Sequence, residues 1–329
     1  MNKLHAKSPC CGAAVSRFGG RRRRCENCGQ TFRIRQKKRG RKRLRSNYKY
    51  LKARFLNQQP LIKLAYQKIK LSNSAKYKRF HRQLTHFVRA SHQIQIPKGE
   101  LSLILDGLWF RFHYQDWVLY VMAIKPIDSN QAYFLDPLLL PGKESLKHWQ
   151  QTIETIPSNI KKRIIAYVCD GFSRYEAINE KYGWIQQRCH FHLLLHLQNV
   201  RGLRKKYWHP KHFREQIYQN IRQIITTSDS NSILQLKRKL KRLSQHLDCP
   251  KRLKYVVREV LRKLDHFRSY IDYLDFNLPN TTNVIESMNQ LLRQATNKLK
   301  TPSAVELWAI GYIRIREKLN CNGAKNQPN

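Results

Sequence analysis

Ile164-Ile165-Ala166-Tyr167-Val168-Cys169-Asp170-Gly171 is the stretch on which the reading of this chain turns. A short apolar run closed by Asp-Gly reads as a buried strand that ends on an acid. Leu101-Ser102-Leu103-Ile104-Leu105-Asp106-Gly107 has the same form. Between the two, Trp117–Ile124 and Ala132–Leu139 read as further strands, and residues 143–155 as a helix. A short helix and the strand Trp184–Arg188 follow. Three strands, helix, strand, helix, strand define an α/β class.

Working outward, Pro97-Lys98-Gly99 marks a boundary in front of this core. Residues 1–36 hold Cys10-Cys11-Gly12 and Cys25-Glu26-Asn27-Cys28-Gly29, two Cys-Gly knuckles that read as a zinc ribbon. Ser8 stands where such a ribbon usually has a cysteine, so Cys10, Cys11 or His5 must complete the set with Cys25 and Cys28. Residues 37–92 read as a basic linker followed by a helix-turn-helix. Its first helix carries Leu61, Leu64 and Ala65. Its second starts from Ser74 as N-cap, with Tyr77, Phe80, Leu84 and Phe87 at helical spacing. Residues 99–192 form the first part of the α/β core. Residues 193–280 are helical and basic, and 281–320 return as a helix with Val284, Met288, Leu291 and Ala295 on one face.

Lys and Arg total 64 against 21 Asp and Glu, a formal charge of +43. Self-repulsion on that scale points to a polyanionic partner, and nucleic acid fits it. The first 99 residues hold 28 of the bases and a single acid, Glu26. Arg21, Arg22, Arg23 and Arg24, then Lys37, Lys38, Arg39, Arg41, Lys42 and Arg43, suit phosphate contacts. Lys76, Lys78, Arg79 and Arg82 on the second helix either read base edges or touch phosphates alone. No apolar run is long enough to cross a membrane. Four of eight cysteines cluster within residues 10–28, a metal-site pattern rather than a disulfide framework.

Asp106 and Asp170 each close a hydrophobic strand in this reading. On adjacent strands they would meet, and two carboxylates in contact need a cation between them. Hard oxygen ligands select Mg²⁺ or Mn²⁺, the ions of two-metal phosphodiester chemistry. Glu286 is the candidate third acid. The competing readings are Asp-Gly turns for the aspartates, and for Glu286 a capping box with Asn283 as N-cap. Cys189 and His192 are either half of a metal site or a structural pair beside the acids.

Leu105-Asp106-Gly107, Val168-Cys169-Asp170-Gly171, Arg188-Cys189-His190-Phe191-His192 and Thr281-Thr282-Asn283-Val284-Ile285-Glu286-Ser287-Met288-Asn289 together resemble the IS256/Mutator-type (MULE) superfamily of DDE transposases. The cysteine-bearing N-terminus is similar to the IS1249-like branch. The resemblance implies an RNase H-like catalytic core with an all-α insertion ahead of the Glu helix. It implies Asp106, Asp170 and Glu286 as catalytic, metal-holding residues, with Cys189, His192, Asn283 and Asn289 near the site. It further implies Mg²⁺ or Mn²⁺ in the core and Zn²⁺ in the ribbon. The expected partners are double-stranded DNA, as element terminal repeats and target, and further copies of the chain assembled on DNA as a homodimer or larger oligomer. The expected setting is the cytoplasm of a prokaryote, in association with the nucleoid. A DNA-binding regulator derived from a transposase, and an RNase H-like nuclease that cuts without joining, are the rival readings.

Overall fold

The computed structural model describes residues 7–8, 10–19, 22–33, 48–58, 63, 72–90, 94–171, 176–201 and 211–323. His5, Arg21, Lys37, Lys38, Arg39, Arg41, Lys42, Arg43 and the helix expected around Leu61, Leu64 and Ala65 lie outside the described residues. The chain divides into two compact units, Met1–Asn47 and Tyr48–Asn329.

In the first unit, β1 (Val15–Arg17), β2 (Arg22–Cys25) and β3 (Thr31–Arg33) form an antiparallel sheet in that order. Arg22, Arg23 and Arg24 lie in β2 and Cys25 ends it. Cys25 is the one buried hydrophobic residue among the described residues of this unit. So small a core cannot hold three strands by burial alone.

The second unit is built on a mixed sheet. β4 (Leu101–Phe112) and β5 (Gln115–Pro126) pair antiparallel along their whole length, from Leu101–Pro126 to Phe112–Gln115. β6 (Tyr133–Phe134) and β7 (Leu138–Pro141) both pair with β5. On the other side β8 (Ile164–Cys169) runs parallel to β4, and β9 (Ile185–Arg188) parallel to β8. The order is β6-β5-β4-β8-β9.

Alternation along β4 sends successive side chains to opposite faces. Leu101, Leu103 and Leu105 meet Trp149 and Ile153 of α3 (Leu146–Glu154). Ile104, Leu108 and Phe112 face the other layer. That layer contains α1 (Tyr48–Phe55), α2 (Asn73–Arg89), α11 (Asn283–Thr296) and α12 (Pro302–Gly323). Fully burying side chains of this size contributes about 1.5–3 kcal/mol each. The short helices α4 (Ser158–Lys161) and α5 (Glu176–Tyr182) flank β8. After β9 come α6 (His190–Arg201), α7 (Lys211–Ile224), α8 (Ser230–Gln245), α9 (Lys251–Arg262) and α10 (Leu264–Asp272), which share a core of their own. α10 is tied to β9: the Ser269 hydroxyl donates to the Gln186 carbonyl at 2.7 Å, and Gln187 Nε2 to the Phe267 carbonyl at 3.1 Å.

Five expectations change. Asp106 does not close a strand: β4 runs on through Gly107 to Phe112, paired with β5 throughout, so Asp106-Gly107 is no turn. The Ala132–Leu139 strand is two, because Asp136-Pro137 separates β6 from β7; proline cannot donate to a ladder. The N-cap of α2 is Ser72, whose hydroxyl accepts from the Ala75 amide, and not Ser74. The segment 281–320 is two helices, α11 and α12. The apolar stripe of α11 is also turned by about one residue. Ile285 and Leu292 are fully buried and Val284 is exposed, with Met288 and Ala295 buried as expected.

The second helix of the expected helix-turn-helix, α2, is not a separate module. Phe80, Leu84 and Phe87 are buried in the main core with Trp308 and Tyr312 of α12. Lys78 and Arg82 point outward, while Lys76 and Arg79 are half-buried.

One buried acid in this layer gives a stability test. Glu317 of α12 accepts from the Phe134 amide at 3.2 Å, but its Oε2 is buried without a partner among the described residues. Burial raises its carboxyl from 4.5 to about 7. The folded chain therefore keeps this proton at pH values where the unfolded chain has lost it. Stability falls as pH rises from about 4.5 to 7 and is level above, by up to about 3 kcal/mol. Glu317→Gln is expected to match the native chain near pH 5 and exceed it at pH 8 in urea unfolding. Equal stability at both values would contradict this.

Candidate active site

Asp106 sits in the middle of β4 on the face covered by α11 and is 6% exposed. Its Oδ1 accepts from the Gly107 amide at 2.9 Å, and its Oδ2 from Asn289 Nδ2 of α11 at 2.6 Å. Burial, and then the charges of Glu286 and Asp170, push its carboxyl up to about 8. Asp170 directly follows β8 and lines the same open cavity of 710 Å³ as Asp106, Asn283, Glu286 and Asn289. Parallel pairing of β8 with β4, with Val168 opposite Ile104, brings Asp170 beside Asp106 where β8 ends.

Glu286 lies on the first turn of α11, and its Oε1 meets His192 Nε2 at 2.8 Å. That contact is the main reason its carboxyl is lowered. Asp106 is raised and Glu286 lowered, and the two carboxyls titrate as a pair rather than singly. Burial would depress His192, but Cys189 and Glu286 hold its imidazolium up to about 11.

The capping box does not form. Thr282 is the N-cap of α11 and Asn283 its first residue, and no side chain caps the start. The Thr282 hydroxyl is instead shared between Cys189 Sγ at 3.3 Å and His192 Nδ1 at 3.4 Å. The Thr282 amide donates to the same sulfur at 3.3 Å. Burial alone would raise Cys189, yet the hydrogen bonds of His192 and Thr282 leave its thiol below the ordinary value. Cys189 and His192 thus bind the start of α6 to the start of α11. Thr282, to which the sequence reading assigned no role, is the joint between them. Only its place in the Thr-Thr-Asn-x-x-Glu stretch could have signalled this.

One ligand atom each of Asp106, His192 and Glu286 lie within 4.8 Å of one another. Asp170 shares the cavity but is not in that tight group. The donor set suits a hard divalent cation: burial, and then the neighbouring carboxylates, raise Asp106, and a positive ion there would offset the repulsion. Among the described residues Asn289 Oδ1 is buried without a partner, and the amide is oriented by its bond to Asp106. Asn289→Ala strips a buried carboxyl of its donor and is expected to cost about 1–3 kcal/mol in metal-free urea unfolding; an unchanged midpoint would contradict the contact.

In the first unit, Cys10, Cys11, Cys25 and Cys28 place their sulfurs within 4.8 Å of one another. Cys10 and Cys11 both belong to this group, and the Cys25 thiol donates to Ser8 Oγ at 3.3 Å. Gly12 and Gly29 take positive φ of 67° and 71° just past each knuckle, where a side chain would be strained. Hydrogen bonds from the Cys28 amide and Ser8 lower Cys25 to about 5. The Gln30 amide pulls Cys28 down, but Cys10 and Cys25 push it up to about 11. A tetrahedral thiolate ion such as Zn²⁺, with about 2.3 Å metal–sulfur bonds, fits this spacing.

The core site is therefore an acidic, cation-competent cluster where β8 ends beside the middle of β4 in a mixed α/β sheet. A family model described as "Transposase, Mutator family" matches residues 138–302, and the chain belongs to that family. The match takes in Asp170, Cys189, His192 and Glu286 and begins after Asp106. No curated protein matches. A solved structure of the Drosophila P element transposase strand transfer complex is similar at 9% identity and a TM-score of 0.41, over 82% of this chain and 97% of that one.

Proposed function

We propose that the chain is a DDE transposase that binds the ends of its element and, with Mg²⁺ or Mn²⁺, cuts a DNA strand and joins it to a target. The observation that carries this reading is Asp106: a buried carboxyl raised to about 8, sharing a cavity with Glu286 and Asp170. The strand order, three antiparallel and two parallel, supports an RNase H-like core with the helices between β9 and α11 as its insertion.

In this reading Asp106, Asp170 and Glu286 hold the divalent ions. The ions supply activation of the attacking water or 3′-hydroxyl and stabilise the leaving oxygen. The protein's own groups do the rest. β4 fixes Asp106 on a stiff element, and Asn289 sets its rotamer. The His192 imidazolium holds the Glu286 carboxylate toward the cavity, and Cys189 with Thr282 holds His192. Asn283 lines the cavity mouth, where a phosphodiester would enter. Cys10, Cys11, Cys25 and Cys28 hold Zn²⁺, and Arg22, Arg23 and Arg24 in β2 meet DNA phosphates. Lys78 and Arg82 on the outer face of α2, with Lys76 and Arg79 beside them, add phosphate contacts from the second unit. Assembly as a dimer or larger oligomer on DNA belongs to the same proposal. Among the described residues, no helix is long and apolar enough to cross a membrane.

The test is a cleavage and joining assay with Mg²⁺ on DNA carrying the sequences that bracket the reading frame. Cut and joined products support the reading; hydrolysis without joining favours a nuclease.

A further inference from the structure

We infer that the outer face of α9 holds the phosphodiester backbone of a DNA strand that runs out of a cavity beside Asp170. This rests on the transposase reading and names where that site's substrate continues.

Leu253, Val256, Val257 and Val260 bury one side of α9 in the insertion's core. Helical periodicity then gathers Lys251, Lys254, Arg258 and Arg262 into one stripe on the opposite side. At about 1.5 Å per residue the stripe is about 16 Å long. One strand of a duplex presents a phosphate about every 3.4 Å along its axis, so the stripe spans about four or five phosphates.

The stripe is costly without a partner. Lys254 with Arg258 and Arg258 with Arg262 are like charges four residues apart, which destabilise a helix. Arg262 has Glu259 at 2.7 Å. Among the described residues, Lys251, Lys254 and Arg258 have no carboxylate at ion-pair distance. A polyanion relieves that repulsion.

The stripe also leads somewhere. Arg262 and Tyr255 line a cavity of about 350 Å³ whose other walls include Asp170, Arg188, His192 and Phe267. Asp170 and His192 also line the cavity that contains Asp106 and Glu286. Tyr255 is 62% exposed alongside the stripe and offers a ring on which a base can stack. The neighbouring helix differs: Lys237, Arg238, Lys239, Lys241 and Arg242 of α8 spread more widely around its exposed arc, and none of them is among the described residues lining either cavity.

The experiment measures the salt dependence of DNA binding by the full chain, without divalent metal. One probe ends at the cut, and the other carries about six further nucleotides beyond it. For the extended probe, the triple variant Lys251→Gln, Lys254→Gln, Arg258→Gln is expected to make the slope of log affinity against log salt shallower by about 2–3. For the short probe it is expected to change the slope little. The matched α8 variant Lys237→Gln, Arg238→Gln, Lys241→Gln is expected to leave both slopes near the native ones. Equal losses from the two triples, or none from the α9 triple, overturn the inference. Melting temperatures near the native value show that these surface changes leave the fold intact. A native chain that binds with this stripe dependence but cuts no DNA overturns the transposase reading and leaves the stripe standing. Cleavage without stripe dependence does the reverse.

Discussion

Asp106→Asn is expected to abolish strand cleavage, by about 10³-fold or more, while DNA binding stays at the native level. Asparagine keeps the shape and can still meet Asn289, but it cannot neutralise a cation. The same change has a second consequence. Asp106 is destabilised by burial and by the charges of Glu286 and Asp170, so a neutral side chain there removes a cost. In metal-free buffer the variant should melt at or above the native temperature. Added Mn²⁺ should raise the melting temperature of the native chain but not of the variant. An ion at a hundred times its dissociation constant contributes about 2.7 kcal/mol. A variant that is merely misfolded would melt lower and respond differently, so the two readouts separate lost chemistry from lost structure.

Removing the metal from the cysteine cluster, or replacing Cys25 by alanine, is expected to unfold Met1–Asn47 and leave the second unit folded. Binding a structural zinc ion is worth on the order of 10–16 kcal/mol in small cysteine-rich domains. Nothing else in this unit approaches that, since Cys25 is its one buried hydrophobic residue among those described. Chelator-treated protein should be cut rapidly by protease within the first 47 residues, with the remainder resistant. Mass spectrometry should find one zinc per chain before treatment. A protease-resistant, metal-free N-terminal unit would contradict the account.

The parts of this protein that were legible in the sequence are those in which chemistry and local pattern coincide. The apolar runs before Asp106 and Asp170 announce core strands. The Cys-Gly knuckles announce the cluster of Cys10, Cys11, Cys25 and Cys28, with His5 as the alternative ligand. The parts that were not legible depend on partners distant in the chain. Asp106 seemed to end a strand because Gly107 follows it; only pairing with β5 carries the strand to Phe112. Asn283 and Glu286 have capping-box spacing, yet Cys189 and His192, about ninety residues earlier, draw Thr282 and Glu286 to themselves. The basic background of α2 reads as the second helix of a separate helix-turn-helix, while its aromatic face packs on α12. In each case a tertiary contact overrides a sound local signal.

The central claim is that Asp106, Asp170 and Glu286 act together as a cation-holding set for DNA strand transfer. The most direct measurement is the joining of a pre-cut element end, bearing a 3′-hydroxyl, to a target duplex with Mg²⁺. The native chain is expected to give joined product. Asp106→Asn, Asp170→Asn and Glu286→Gln are each expected to give none while still binding the end. Undiminished joining by any one of the three would contradict the account.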